Sequence, residues 1–192
     1  MNHNLFCISL SHTQYPNPIH SFITTRITMV LTTRNNKRIS SHCISYHIID
    51  RISFDSLDTG RQPTVKVAAH LMRRLIYTNK DRLMAGVIVA GWDPVDGASV
   101  YTITLGGSCL KLPFATGGSG SVFISGLLDS EFRVGMSKDE VRALAKKACS
   151  HAMARDGSSG GVVRTVAIDA NGVDRDYTGG NELPFGPCPS WK

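Results

Sequence analysis

Two short glycine-and-serine segments, Gly117-Gly118-Ser119-Gly120-Ser121 and Arg155-Asp156-Gly157-Ser158-Ser159-Gly160-Gly161, flank the strongest helical pattern in the chain. Between them, Ser137-Lys138-Asp139-Glu140 reads as a capping box. Val141, Leu144, Ala145, Ala148, Cys149, Ala152 and Met153 then recur on one helical stripe. The helix is therefore expected to end near Asp156-Gly157, and the first glycine-serine turn is expected to open another helix around Val122 to Leu128. Turns of this composition let backbone amides and hydroxyls approach a reacting group without side-chain obstruction, and such loops commonly serve a site.

The flanking segments are also regular. Pro63 precedes Val65, Ala68, Leu71, Met72, Leu75 and Ile76, an apolar stripe whose opposite face carries Lys66, Arg73, Arg74 and Lys80. Ala85 to Trp92 is a short apolar run. Val95-Asp96-Gly97-Ala98 reads as a hairpin turn into the alternating Tyr101 to Leu105. A third strand is expected over Cys109 to Ala115, made irregular by Pro113. Val162 to Ile168 reads as a buried strand, and Asn171-Gly172 as a hairpin leading to Val173 through Tyr177. The order of elements predicts an α+β domain in which sheets are covered by helices.

At 192 residues the chain has the length of one domain. No apolar run approaches the roughly 20 residues that span a bilayer. Polar residues interrupt Leu5 to Ile8, so no secretory signal is expected. Cys7, Cys43, Cys109, Cys149 and Cys188 are widely spaced without a Cys-x-x-Cys pair, which suits free thiols in the cytosol or nucleus. The net charge of +6 belongs to the front of the chain, without the aromatic interleaving or motif spacing of a nucleic-acid binder. His3, His12, His20, His42, His47 and His70 lack zinc-site spacing, so neither a metal nor a cofactor is expected.

Composition changes near residue 60. Residues 1–59 hold no glycine, alanine or glutamate, and all 18 glycines fall from Gly60 onward. The front has only short alternations such as Phe22 to Ile27, and the pattern assigns it no fold. Two bland readings stand beside the site reading. Asp156 can be simply an acid at a helix end, with Gly157 in the position after the cap. A phosphate-binding glycine loop would need a lysine or a magnesium-binding hydroxyl that Gly117 to Gly126 does not supply.

The segments LMAGVIVAGWD, GGSGS, GLLDSEFRVGMSKDE and RDGSSGG, in this order and spacing, resemble the β-type subunits of the proteasome 20S core, in particular the caspase-like β-1 (β type-6) class. The resemblance spans about Leu57 to Phe185. It implies a four-layer α-β-β-α sandwich of the N-terminal nucleophile hydrolase type, assembly with other α and β subunits into heptameric rings, and threonine-type hydrolysis of polypeptides after acidic residues. It implies service in ATP- and ubiquitin-dependent protein degradation in cytoplasm and nucleus. It also maps a supporting hydrogen-bond network onto Asp156, Ser159 and Ser119. In such enzymes the α-amine of the threonine accepts the proton, a role suited to its pKa of about 7.7–8.0.

The front departs from that family. No Gly-Thr-Thr junction, Gly-Ala-Asp-Ser-Arg strand or second-strand lysine precedes Gly60, and Ile23 stands before Thr24-Thr25 where glycine is required. Residues 1–56 are therefore expected to be an unmatched segment, from an alternative exon or gene-model artefact, ahead of a partial β-type domain at 57–192. The fold is then expected to be incomplete for want of its leading strands, with no nucleophile identified. A non-catalytic structural or assembly variant of the β ring is the alternative reading. Gly186 to Lys192 also departs from the family, whereas Asn181 to Phe185 fits it.

Overall fold

The computed structural model describes residues 63–81, 83 and 85–183 in full and the backbone of residues 6–9 and 27–33. The expectations resting on Thr25, on the front histidines, on the boundary at residue 56 and on Pro184 to Lys192 lie outside the described residues. In chain order the elements are β1 (Phe6–Ser9), β2 (Ile27–Thr33), α1 (Val65–Thr78), β3 (Ala85–Asp93), β4 (Gly97–Ile103), β5 (Cys109–Leu112), β6 (Phe114–Gly117), a 3-10 turn (Ser119–Phe123), α2 (Ser125–Glu131), α3 (Lys138–Arg155), β7 (Val163–Asp169) and β8 (Gly172–Thr178). Helices and mainly antiparallel strands make this an α+β fold.

The central sheet has the order β2-β3-β4-β5, antiparallel throughout. Alternation along β3 and β4 divides their side chains between two faces. Val87, Val89, Tyr101 and Ile103 meet the stripe of α1, where Val65, Ala68, Ala69, Met72 and Ile76 are buried. Side chains such as Met72 and Ile76 each contribute about 1.5–3 kcal/mol by leaving water. On the other face Ile88, Ala90 and Val100 pack with Ala115 of β6. A further cluster joins Ile124 and Leu128 to Leu144, Ala145, Ala148 and Ala152 of α3 and to Val163 of β7. Phe114 and Phe132 close its rim with ring centroids 5.1 Å apart.

Two findings differ from the sequence pattern. The single strand expected over Cys109 to Ala115 is two, because Pro113 has no N–H for a ladder and the chain changes partner there. β5 pairs with β4, whereas β6 pairs in parallel with β1, Phe6 opposite Phe114 and Ser9 opposite Gly117. The second difference lies in the front segment, to which the pattern assigns no fold. Its β2 pairs along its whole length with β3, from Ile27 opposite Gly91 to Thr33 opposite Ala85. Isoleucine, valine and threonine dominate that run and fit a pleated strand without needing a helical or strictly alternating signature. β3 is thus an interior strand of the sheet, with β2 on one side and β4 on the other.

Candidate functional site

The first glycine-serine segment leaves β6 through Gly118, whose φ of 95° would strain any residue with a Cβ. This bend turns the chain into the 3-10 turn, where Ser121 donates both its N–H and its hydroxyl to the Gly118 carbonyl. Ser119, the first residue of that turn, is left exposed to solvent with its hydroxyl free of the backbone. The expected helix from Val122 is therefore delayed: a 3-10 turn comes first, and α2 begins at Ser125.

The second segment is delivered by α3. Its capping box is present in both directions, Glu140 N–H donating to Ser137 Oγ and Ser137 N–H donating to Glu140 Oε2. Three alanines on its inner face, Ala145, Ala148 and Ala152, permit close approach to β7. α3 ends as the pattern predicts, with Asp156 as its C-cap in extended conformation. Gly157, expected in the left-handed position after the cap, does not adopt a positive φ; in this loop Gly161 does, at 94°.

All three expected site residues come together. Asp156 Oδ2 accepts from Ser119 Oγ at 2.7 Å and from Ser159 Oγ at 2.5 Å, and Asp156 Oδ1 accepts from the Ser158 N–H at 3.1 Å. The Ser119 hydroxyl above all, then that of Ser159, holds the Asp156 carboxyl below the usual carboxylate range, with a smaller contribution from the Ser158 amide. Both serine hydroxyls thus donate to one carboxylate oxygen. With both hydroxyl protons directed to Oδ2, the Ser119 and Ser159 oxygens keep lone pairs that can accept a hydrogen bond. The cluster is an anionic cradle suited to an ammonium or another N–H donor.

Sequence reasoning missed what supports this cradle. A Cβ on Gly180 would collide with the Gly161 carbonyl oxygen, so the loop carrying Ser159 is seated against the segment after β8 through a contact that only glycine allows. The Gly179-Gly180 pair was the one available signal. Among the described residues no group of three or more histidine, cysteine or acidic side chains could hold a metal ion. No helix among them is long and apolar enough to cross a membrane.

The family model described as "Proteasome subunit" matches residues 44–168. The chain belongs to the proteasome subunit family. Its curated relatives place it among the β-type subunits. It is 47% identical over 151 residues to a Dictyostelium discoideum protein named proteasome subunit beta type-6, covering 79% of this chain and 71% of that relative. The Arabidopsis thaliana beta type-6 subunit is 42% identical over 154 residues, 80% of this chain and 66% of the relative. The Saccharomyces cerevisiae beta type-1 subunit is 43% identical over 162 residues, 81% and 75% of the two chains. The family match begins at residue 44, inside the segment that the sequence pattern leaves unmatched.

Proposed function

We propose that this chain serves in the β ring of the 20S proteasome core, joined to other α and β subunits in heptameric rings. It takes part there in ATP- and ubiquitin-dependent protein degradation in the cytoplasm and nucleus. The observation that carries the reading is the convergence of Ser119 and Ser159 on Asp156 from two separate glycine-serine segments of a β-type family member. Threonine-type hydrolysis needs an α-amine placed to take a proton, and an anionic cradle of acceptors suits that amine in its protonated form. Cleavage after acidic residues is the corresponding substrate preference. The four-layer α-β-β-α sandwich is supported by three separate core clusters, lying between α1 and the central sheet, between that sheet and β6, and between β7 and helices α2 and α3.

A second reading, a non-catalytic ring subunit, is favoured by one observation: no Gly-Thr pair precedes Gly60 and Ile23 stands before Thr24. Purification of 20S cores from the source, followed by N-terminal sequencing and intact mass of this subunit, separates the two. A threonine at the mature N-terminus supports the peptidase. An unprocessed front in assembled cores supports the structural subunit, and absence of the chain from cores overturns both.

A further inference from the structure

The chain leaves Asp156 and comes back to it along the β7–β8 hairpin. After the Asp156 cap the loop of residues 157–161 carries Ser159 into β7, and β8 returns to the same end, since Thr178 lies opposite Val163. The residues after β8 then lie against that loop. Gly180 approaches the Gly161 carbonyl so closely that a Cβ on it would collide with the oxygen, and Gly161 itself is bent at a φ of 94°. Residues 176–183 therefore form a strap against the Ser159 loop.

The strap is fixed on both sides of Gly180. Downstream, a 3-10 turn over Gly180–Glu182, with the Glu182 N–H donating to the Gly179 carbonyl at 3.0 Å, leads to Leu183, which is buried with Ile124, Leu128 and the inner face of α3. Upstream, Asp176 Oδ2 pairs with Lys146 Nζ at 2.6 Å. Lys146 belongs to the helix that ends in Asp156, and Asp176 to the strand that ends beside Gly180. Asp176 is 34% exposed against 48% for Asp174, so its ion pair is the less screened of the two. Asp174 holds two cations, Lys138 and Arg142, but sits nearer the turn at Asn171-Gly172 and further from the Ser159 loop.

We propose that Asp176 is a positioning residue for the Asp156 cradle: its ion pair with Lys146 sets the register of β8 on α3, and through Gly180 and Gly161 that register holds Ser159 within hydrogen-bonding reach of Asp156. The proposal rests on the cradle and is independent of whether the chain cleaves peptides. It also fixes the sign of one effect. Removing the Asp176 carboxylate takes away a negative charge and leaves Lys146 unneutralised, and both changes favour an ionised Asp156 and would lower its pKa. Loss of the Ser159 hydrogen bond acts in the opposite direction. A rise on removing the Asp176 charge therefore reports a displaced donor, not an altered field.

The test is carboxyl carbon NMR titration of Asp156 in the full chain, in the wild type, Asp176→Asn, Asp176→Glu, Asp174→Asn, Ser159→Ala and the double variant Ser159→Ala/Asp176→Asn, after circular dichroism has confirmed that each folds. The expected result is a value that moves up toward the usual aspartate value of about 3.9 in Asp176→Asn, returns to that of the wild type in Asp176→Glu, and is unmoved in Asp174→Asn although that change breaks two ion pairs. With Ser159 already alanine, Asp176→Asn should raise it no further, because the two changes act through one hydrogen bond. An unchanged or lower value in Asp176→Asn, an equal rise in Asp174→Asn, or a further rise on top of Ser159→Ala would each overturn the proposal and leave the cradle standing. An ordinary value in the wild type would overturn the cradle and the proposal with it.

Discussion

Asp93 ties the first helix to the central sheet, and its replacement by alanine is the most informative test of how the fold is held. One oxygen accepts from the Val65 N–H at 2.9 Å, capping α1 from 28 residues away. The other accepts from the Val95 and Asp96 N–H groups at 3.0 and 2.8 Å, closing the turn between β3 and β4. Thr64, the local cap, satisfies only Val67. Val65 is fully buried, so in Asp93→Ala its N–H loses its partner without access to water, at about 1–3 kcal/mol. The turn amides are different: Val95 is 76% exposed and Asp96 is exposed too, so water replaces the carboxylate there at about 1 kcal/mol together. The total is about 3 kcal/mol, or a Tm roughly 6–12 °C lower for a chain of this size. Urea unfolding followed by far-ultraviolet circular dichroism measures it directly. Asp93→Asn, which keeps one acceptor, should lose about half as much. A change within about 0.5 kcal/mol for Asp93→Ala, as at an unconnected surface position, would refute the reasoning.

Gly180→Ala should displace the loop of residues 157–161 and destabilise by about 1–3 kcal/mol, whereas Gly157→Ala, with open space around its Cβ, should be near neutral; paired unfolding curves check both. Asp174 and Asp176 are held below the usual carboxylate range chiefly by hydrogen bonds from Lys138 and Lys146 respectively. Their stabilisation is therefore fully present above the unfolded value of about 3.9 and is lost as pH falls through the lower folded value. Asp174→Asn should accordingly lower the Tm at low salt and lose most of its effect at roughly 1 M salt, where the Debye length is about 3 Å. Cys149 is buried and its thiol is pushed up to about 11, so it should resist alkylation at neutral pH until the protein unfolds, as mass spectrometry of iodoacetamide-treated samples would record.

What could be read from the sequence followed the range of the interactions involved. α3 was legible from Ser137 to Asp156 because capping and helical period are local, and the turn at Asn171-Gly172 was legible for the same reason. The meeting of Ser119, Ser159 and Asp156 was expected through the resemblance, since no periodicity relates residues 37 apart in the chain. The second use of Asp93 was hidden. The absence of any acid in the first turn of α1, together with an aspartate at the end of β3, was the only trace of it. The pairing of Lys138, Arg142 and Lys146 with Asp174 and Asp176 matches a spacing of four on a helix to a spacing of two on a strand, and becomes visible only once α3 lies on the hairpin. The pairing of β2 with β3 was equally hidden, because a short run of β-branched residues does not name its partner.

The central claim is that two glycine-serine segments converge on Asp156 and that the Ser119 and Ser159 hydroxyls hold its carboxylate ionised. Carboxyl carbon NMR titration of Asp156, in the wild-type chain and in Ser119→Ala, tests it most directly. The account predicts a wild-type pKa below the usual aspartate value of about 3.9 that moves up toward it when the Ser119 hydroxyl is removed. An ordinary value that does not respond to Ser119→Ala would contradict it.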